Sequence, residues 1–163
     1  MTTTTSEAIA TLTSAHKGGL ERLQRLSEAV GRPDFGNLET LRTVTDLLEF
    51  FDGELRVHFR HEEEALFPAL EQVIGREGPI AVMLAEHQSF WESIEDLRRK
   101  VDELTGGERR EERVRTTRLV ARTVADFLRD HIGKEDMILF PIAEEELTHQ
   151  KLEEIALMMR AIE

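Results

Sequence analysis

Six residues of this 163-residue chain have types and spacing suited to holding metal ions: His16, His58, Glu62, His87, His131 and Glu135. Two of the histidines stand four residues before a glutamate, in His58-x-x-x-Glu62 and His131-x-x-x-Glu135. On an α-helix, residues four apart lie one above the other, with ~5–6 Å between their Cβ atoms. Such a pair offers a nitrogen to one ion and a carboxylate that can bridge to a second. Imidazole combined with carboxylate suits iron, manganese or zinc better than calcium or magnesium, which favour oxygen alone. One His-x-x-x-Glu by itself is usually a solvated helix pair, so repetition has to carry the metal reading.

The repetition is present. Leu55-Arg56-Val57-His58 runs through Glu62 to Leu66-Phe67-Pro68, and Leu128-Arg129-Asp130-His131 runs through Glu135 to Leu139-Phe140-Pro141. Leu, Arg, His, Glu, Leu, Phe and Pro recur at matching places. His16 and His87 precede the two motifs at nearly the same interval. The chain reads as two copies of one helical hairpin, each with a lone histidine on its first helix and a His-x-x-x-Glu on its second.

The elements that must position these groups follow from the breaker residues. Gly31 to Asn37, Gly75 to Pro79 and Thr105-Gly106-Gly107 interrupt four stretches with apolar residues at helical spacing. The pattern predicts helices over Thr5 to Val30, Leu38 to Ile74, Pro79 to Leu104 and Glu108 to Glu146. A short fifth helix after Thr148 is compatible with Leu152, Ile155, Ala156, Met159 and Ile162 on one side. Short connections between long helices imply antiparallel neighbours. The expected fold is therefore an all-α, antiparallel, up-down-up-down four-helix bundle forming a single domain over residues 1–163. At ~1.5 Å per residue, all four helices then place their ligand-type residues ~12–18 Å from the same end of the bundle. Six such residues scattered at random would rarely share one layer.

Composition narrows the function classes. The formal net charge of −12 argues against nucleic acid, whose phosphates require Lys and Arg, and against an anionic membrane surface. No cysteine is present, which removes disulfides, iron–sulfur ligation and thiol catalysis. Met1 to Ser6 is a Thr run without basic residues or a long apolar run, so a cytoplasmic protein without a spanning segment is expected.

The combination of His16, His58-x-x-x-Glu62, His87 and His131-x-x-x-Glu135, with Leu-Phe-Pro after both pairs, resembles the hemerythrin family in its HHE cation-binding branch. The resemblance covers nearly the whole chain. It implies a four-helix bundle around a non-haem di-iron centre with an oxo or hydroxo bridge. His16, His58, His87 and His131 would be terminal ligands, and Glu62 and Glu135 bridging carboxylates. The chain departs from the oxygen-carrying members, which have a further histidine where Trp91 stands and an aspartate where Glu135 stands. One imidazole fewer leaves a coordination position for a small ligand such as oxygen, nitric oxide or peroxide. The ligand set is similar to that of the iron–sulfur-repair and nitric-oxide-response members, which usually carry an additional Cys-bearing N-terminal segment. A sensor or binder of a diatomic ligand, an enzyme acting on peroxide or nitric oxide, and an iron store or donor all remain open, in a monomer or weak homodimer.

Residues around the six carry lesser expectations. His61 is a supporting or surface residue, because its counterpart in the repeat is Lys134. Trp91 should face the site, by core packing or as a gate. Glu63 and Glu64 should be solvated, with Glu63 also a candidate for holding a histidine; His149 should be exposed. Gly18, Gly19 and Gly133 imply close helix contact, a kink, or a passage for a diatomic molecule. Arg98, Arg99, Lys100, Arg109, Arg110, Arg113, Arg115 and Arg118 form a basic pole opposite an acidic one of Glu62 to Glu64, Glu71, Glu86 and Glu144 to Glu146, both expected to be solvated.

Overall fold

The structure is a computed structural model that describes residues 4–104 and 108–163. The breaker Thr105-Gly106-Gly107 and the start of the Thr run lie outside the described residues. Five helices are present among the described residues. Helix α1 spans Glu7–Gly31. Helix α2 (38–74) is continuous but mixed: α-helical turns Leu38–Phe50, Arg56–His61 and Phe67–Ile74 alternate with π turns Phe51–Leu55 and Glu62–Leu66. Helix α3 is Pro79–Glu103. Helix α4 (110–146) consists of Arg110–Lys134, a π turn Glu135–Leu139, and Phe140–Glu146. Helix α5 is His149–Arg160.

The helix starts follow local chemistry. The Ser6, Asn37 and Thr148 side chains accept hydrogen bonds from the backbone N–H groups of Ile9, Thr40 and Lys151, satisfying donors that have no partner within the helix. Ser6 is thus the cap, and α1 begins two residues later than the apolar pattern suggests. Pro79 opens α3, where its missing N–H costs nothing. Arg109 sits in the left-handed region at φ 52°, so α4 begins at Arg110 and not at Glu108.

The π turns are the main departure from the expected uniform helices. Two of them begin at Glu62 and Glu135, and each is followed by Phe-Pro. Pro68 and Pro141 have no N–H to donate, and their rings would clash with the carbonyl four residues back in a regular helix. Widening the preceding turn absorbs that conflict. Phe67 and Phe140 instead donate their N–H to the Glu62 and Glu135 carbonyls, five residues back. Both copies of the motif make the same adjustment, directly at the residues of interest.

Helices α1 and α4 pack together, α3 packs on α4, and α2 contacts α1 and α3, closing the antiparallel bundle. The apolar core is divided in two. One half gathers Ile9, Leu12, Leu66, Phe67, Ile80 and Phe140 with Leu152, Ile155 and Met159 of α5. The other gathers Leu23, Leu26, Phe51, Phe59, Phe90, Ile94 and Leu128. Helix α5 thus plugs the first end. The expected basic pole is less solvated than its composition implied. Arg118 donates to the carbonyls of Val30 and Arg32 at the end of α1, and Arg110 to those of Gly36 and Leu104. These two arginines tie helix ends, whose last carbonyls need donors. No helix among the described residues is long and apolar enough to cross a membrane.

Candidate metal centre

Between the two apolar clusters lies one polar layer. His16 from α1, His58 and Glu62 from α2, His87 from α3, and His131 and Glu135 from α4 are all buried there, none more than 3% exposed. All six sequence-predicted residues are therefore brought together. They form two groups, His16–His58–Glu62–Glu135 and His87–His131–Glu62–Glu135, each with its donor atoms within 4.8 Å of one another. Both glutamates belong to both groups.

The Nε2 atoms converge in pairs. His16 and His58 approach to 3.1 Å, and His87 and His131 to 3.2 Å. Two nitrogens bound at ~2.1 Å to one ion at right angles would lie about 3 Å apart, which matches this spacing. Glu62 reaches both pairs: Oε1 is 2.9 Å from His58 Nε2, and Oε2 is 3.0 Å from His87 Nε2. Glu135 Oε1 is 2.7 Å from His131 Nε2 and 3.7 Å from His16 Nε2. Despite these short approaches, all four carboxylate oxygens are buried without a hydrogen bond among the described residues. They are aimed into shared space, an arrangement that is expensive in a protein interior unless a cation occupies it.

The outer ring nitrogens explain how the imidazoles are held. His16 Nδ1 lies 2.7 Å from Asp136, His87 Nδ1 2.7 Å from Glu63, and His131 Nδ1 2.8 Å from Glu86. A carboxylate accepting the Nδ1–H fixes the tautomer that leaves the Nε2 lone pair facing inward. Lys134 in turn bonds Glu86. Glu63 thus takes the holding role weighed for it. Asp136 was not anticipated as a site residue and Glu86 only as part of an acidic pole. Glu63 and Asp136 directly follow the two motif glutamates, and each holds the lone histidine of the other hairpin. That repeated place is the signal that identifies Asp136.

Aromatic rings supply the walls. Phe67 and Phe140 of the Leu-Phe-Pro triplets stack on His87 and His16, with centroids 5.7 and 5.2 Å away. Phe59 lies flat on the other face of the His87 pair, 3.7 Å from the His87 centroid. Trp91 is half-buried, packs edge-on against Phe59 and Phe90, and carries the Arg56 guanidinium over its face. Its place is core packing against Phe59. A surface groove of about 850 Å³, lined in part by Arg56, Glu63, Trp91 and His87, brings solvent to the outer side of the His87 position. None of the three glycines lines it. His61 turns to the Ile162 carbonyl, 3.4 Å away, and His149 is exposed beside Glu153.

Electrostatics agree with a site built for positive charge. Burial pushes His58 down to about 3, with His16 and His131 acting the same way against Glu135. Burial also opposes charge on His16, His87 and His131, but their carboxylate neighbours outweigh it and raise all three. Glu62 is held well above the ordinary carboxylate range, by burial first and then by Glu135. Burial works upward on Glu135 too, yet Glu62, His131 and His16 hold it well below. Two carboxyls this close and this buried resist being ionised together, and a cation between them would relieve that conflict.

A helical bundle whose core carries paired histidines on shared carboxylates is a metal-binding bundle. The model of the hemerythrin HHE cation binding domain matches residues 7–143, and the chain belongs to that family. It is 34% identical over 133 residues to the iron-sulfur cluster repair protein DnrN of Neisseria gonorrhoeae, across 78% of this chain and 81% of that protein. It is also 31% identical over 102 residues to the iron-sulfur cluster repair protein YtfE of Escherichia coli O157:H7. That match takes in 61% of this chain and 46% of the relative, so it spans less than half of the relative's length.

Proposed function

We propose that the chain is a non-haem di-iron protein that binds or senses a small diatomic ligand such as oxygen or nitric oxide. His16 and His58 would hold one iron, His87 and His131 the second, with Glu62 and Glu135 bridging. The observation that carries this reading is the convergence of four Nε2 atoms and four carboxylate oxygens that have no hydrogen bonds of their own. When bound, paired iron supplies one-electron chemistry and affinity for diatomic ligands. The protein's own part is to orient the imidazoles, exclude bulk water and restrict size. Two histidines and two shared carboxylates would give each ion four protein donors, fewer than iron commonly takes, so a small ligand would have room to bind. The near-complete burial of the layer favours a ligand of a few atoms.

The relatives named as iron-sulfur cluster repair proteins favour a second reading, in which the same centre donates iron. The test is iron per chain after anaerobic loading, followed by titration of the reduced protein with nitric oxide. About two irons and a saturable spectral change support ligand binding. Two irons that leave to a mild acceptor, with no spectral response to nitric oxide or oxygen, would shift the function to iron delivery. Absence of metal uptake would sink both.

A further inference from the structure

The two halves of the centre are not held alike. His131 is the end of a chain of contacts: Lys134 bonds Glu86 and also Asp130, and Glu86 accepts from His131 Nδ1. The matching histidine in the first hairpin is His58, and its Nδ1 is buried without a hydrogen-bond partner among the described residues. The cause is legible residue by residue. Glu86 directly precedes His87, whereas the residue directly before His16 is Ala15. Lys134 has His61 as its counterpart, and that ring is turned away to the Ile162 carbonyl. Both members of the chain are therefore missing around His58. The aromatic walls differ in the same sense: His87 is stacked by both Phe59 and Phe67, whereas His16 is stacked by Phe140 and the counterpart of Phe59 in the repeat is the non-aromatic Ile132.

We propose that the two ion positions are unequal, and that the His16–His58 position is the weaker and gives up its ion first. This rests on the two-ion reading above. Without a carboxylate on Nδ1, nothing fixes the His58 tautomer, so its proton can occupy the nitrogen that has to face the metal. The ring also lacks the partner that raises ligand basicity, an omission that typically lowers metal affinity about 10–100-fold. Ala15 is exposed on α1, so a longer side chain there displaces no core.

The experiment titrates the iron-loaded full chain with graded EDTA and measures iron per chain. Two release steps are expected, separated by about 10–100-fold in chelator. Ala15→Glu should move the first step towards the second by supplying the absent carboxylate. Glu86→Gln should move the second step towards the first, and Glu86→Asp should retain most of the separation. Release of both ions in a single step from the unaltered chain overturns the proposal, as does a separation that either Ala15→Glu or Glu86→Gln leaves unchanged. A chain that takes up no iron fails earlier, and overturns the di-iron reading instead.

Discussion

In the second hairpin, Glu86, Phe90, Trp91 and Lys134 stand where the first has Ala15, Gly19, Leu20 and His61. The residues that point donor atoms inward are repeated: the histidines, the two motif glutamates, the acid that follows each, and the Phe-Pro after the π turn. The residues that stiffen the imidazoles from outside are repeated only in part. Their difference separates two requirements that a metal site must meet. Donor convergence comes from helix period and depth, which both hairpins share. Tautomer and ring orientation come from neighbours on other helices, which only the second hairpin supplies in full.

The largest effect should come from breaking what the halves share. Glu62 offers one oxygen to each histidine pair, so Glu62→Gln should reduce iron from about two per chain to below one. The mutant should also lose the stabilisation that bound metal confers, about 3–4 kcal/mol at iron 100–1,000-fold above its dissociation constant. The melting temperature should fall by about 2–4 °C for each kcal/mol. The metal-free proteins should behave in the opposite sense. A neutral amide beside Glu135 removes the like-charge conflict, so metal-free Glu62→Gln should melt at or above the unaltered metal-free chain. Melting curves with and without iron check both signs. An unchanged iron-loaded melting temperature would mean that Glu62 is not shared.

Much of this centre was legible in the sequence because an α-helix converts spacing into direction. His58 with Glu62, and His131 with Glu135, needed only the helical period, and the common depth of His16 and His87 needed only helix length. Setting His61 aside needed only the comparison with Lys134. Other features depend on relations between helices that spacing does not encode. Asp136 drew no reading and Glu86 only one as part of a solvated acidic pole, since which acid reaches a given Nδ1 depends on how two helices cross. Arg110 and Arg118 read as part of a basic pole, yet they serve carbonyls at the ends of distant segments. Pro68 and Pro141 stood out only as members of the repeated Leu-Phe-Pro, inside stretches read as uninterrupted helix. A proline there can end a helix, kink it or be absorbed in a wider turn, and only the backbone shows the last. Trp91, read as core packing or a gate beside the site, packs edge-on against Phe59, which itself fills the space against His87.

A smaller effect should follow from making the hairpins more alike. Phe59→Ile gives the first motif the residue that Ile132 is in the second. It removes the flat stack on His87 and the edge contacts with Phe90 and Trp91. Aromatic pairs contribute ~0.5–1.5 kcal/mol beyond area burial, and some cavity remains, so unfolding in denaturant should show a loss of about 1–3 kcal/mol. The second iron-release step should move towards the first while total iron stays the same. If the step keeps its place, ring stacking contributes packing but not metal retention, and the inequality between halves rests on Glu86 alone.

The smallest effect concerns the glycines, where the halves differ without consequence for the donors. A Cβ at Gly133 would meet no atom within 4 Å, and one at Gly19 would touch only the Ile132 Cδ1 at 3.8 Å, an ordinary contact. Close helix approach therefore does not require glycine at either position. Glycine inside a helix is less favourable than alanine by about 0.5–1 kcal/mol. Gly133→Ala should accordingly raise the melting temperature by about 1–4 °C, with unchanged iron content and unchanged nitric oxide association. The rate measured by stopped flow is the sharper readout. A slower rate at equal iron would make the open space at Gly133 a route for the ligand. An equal rate leaves the groove beside Trp91 as the better candidate for entry, on the side of the centre where the imidazoles are most firmly held.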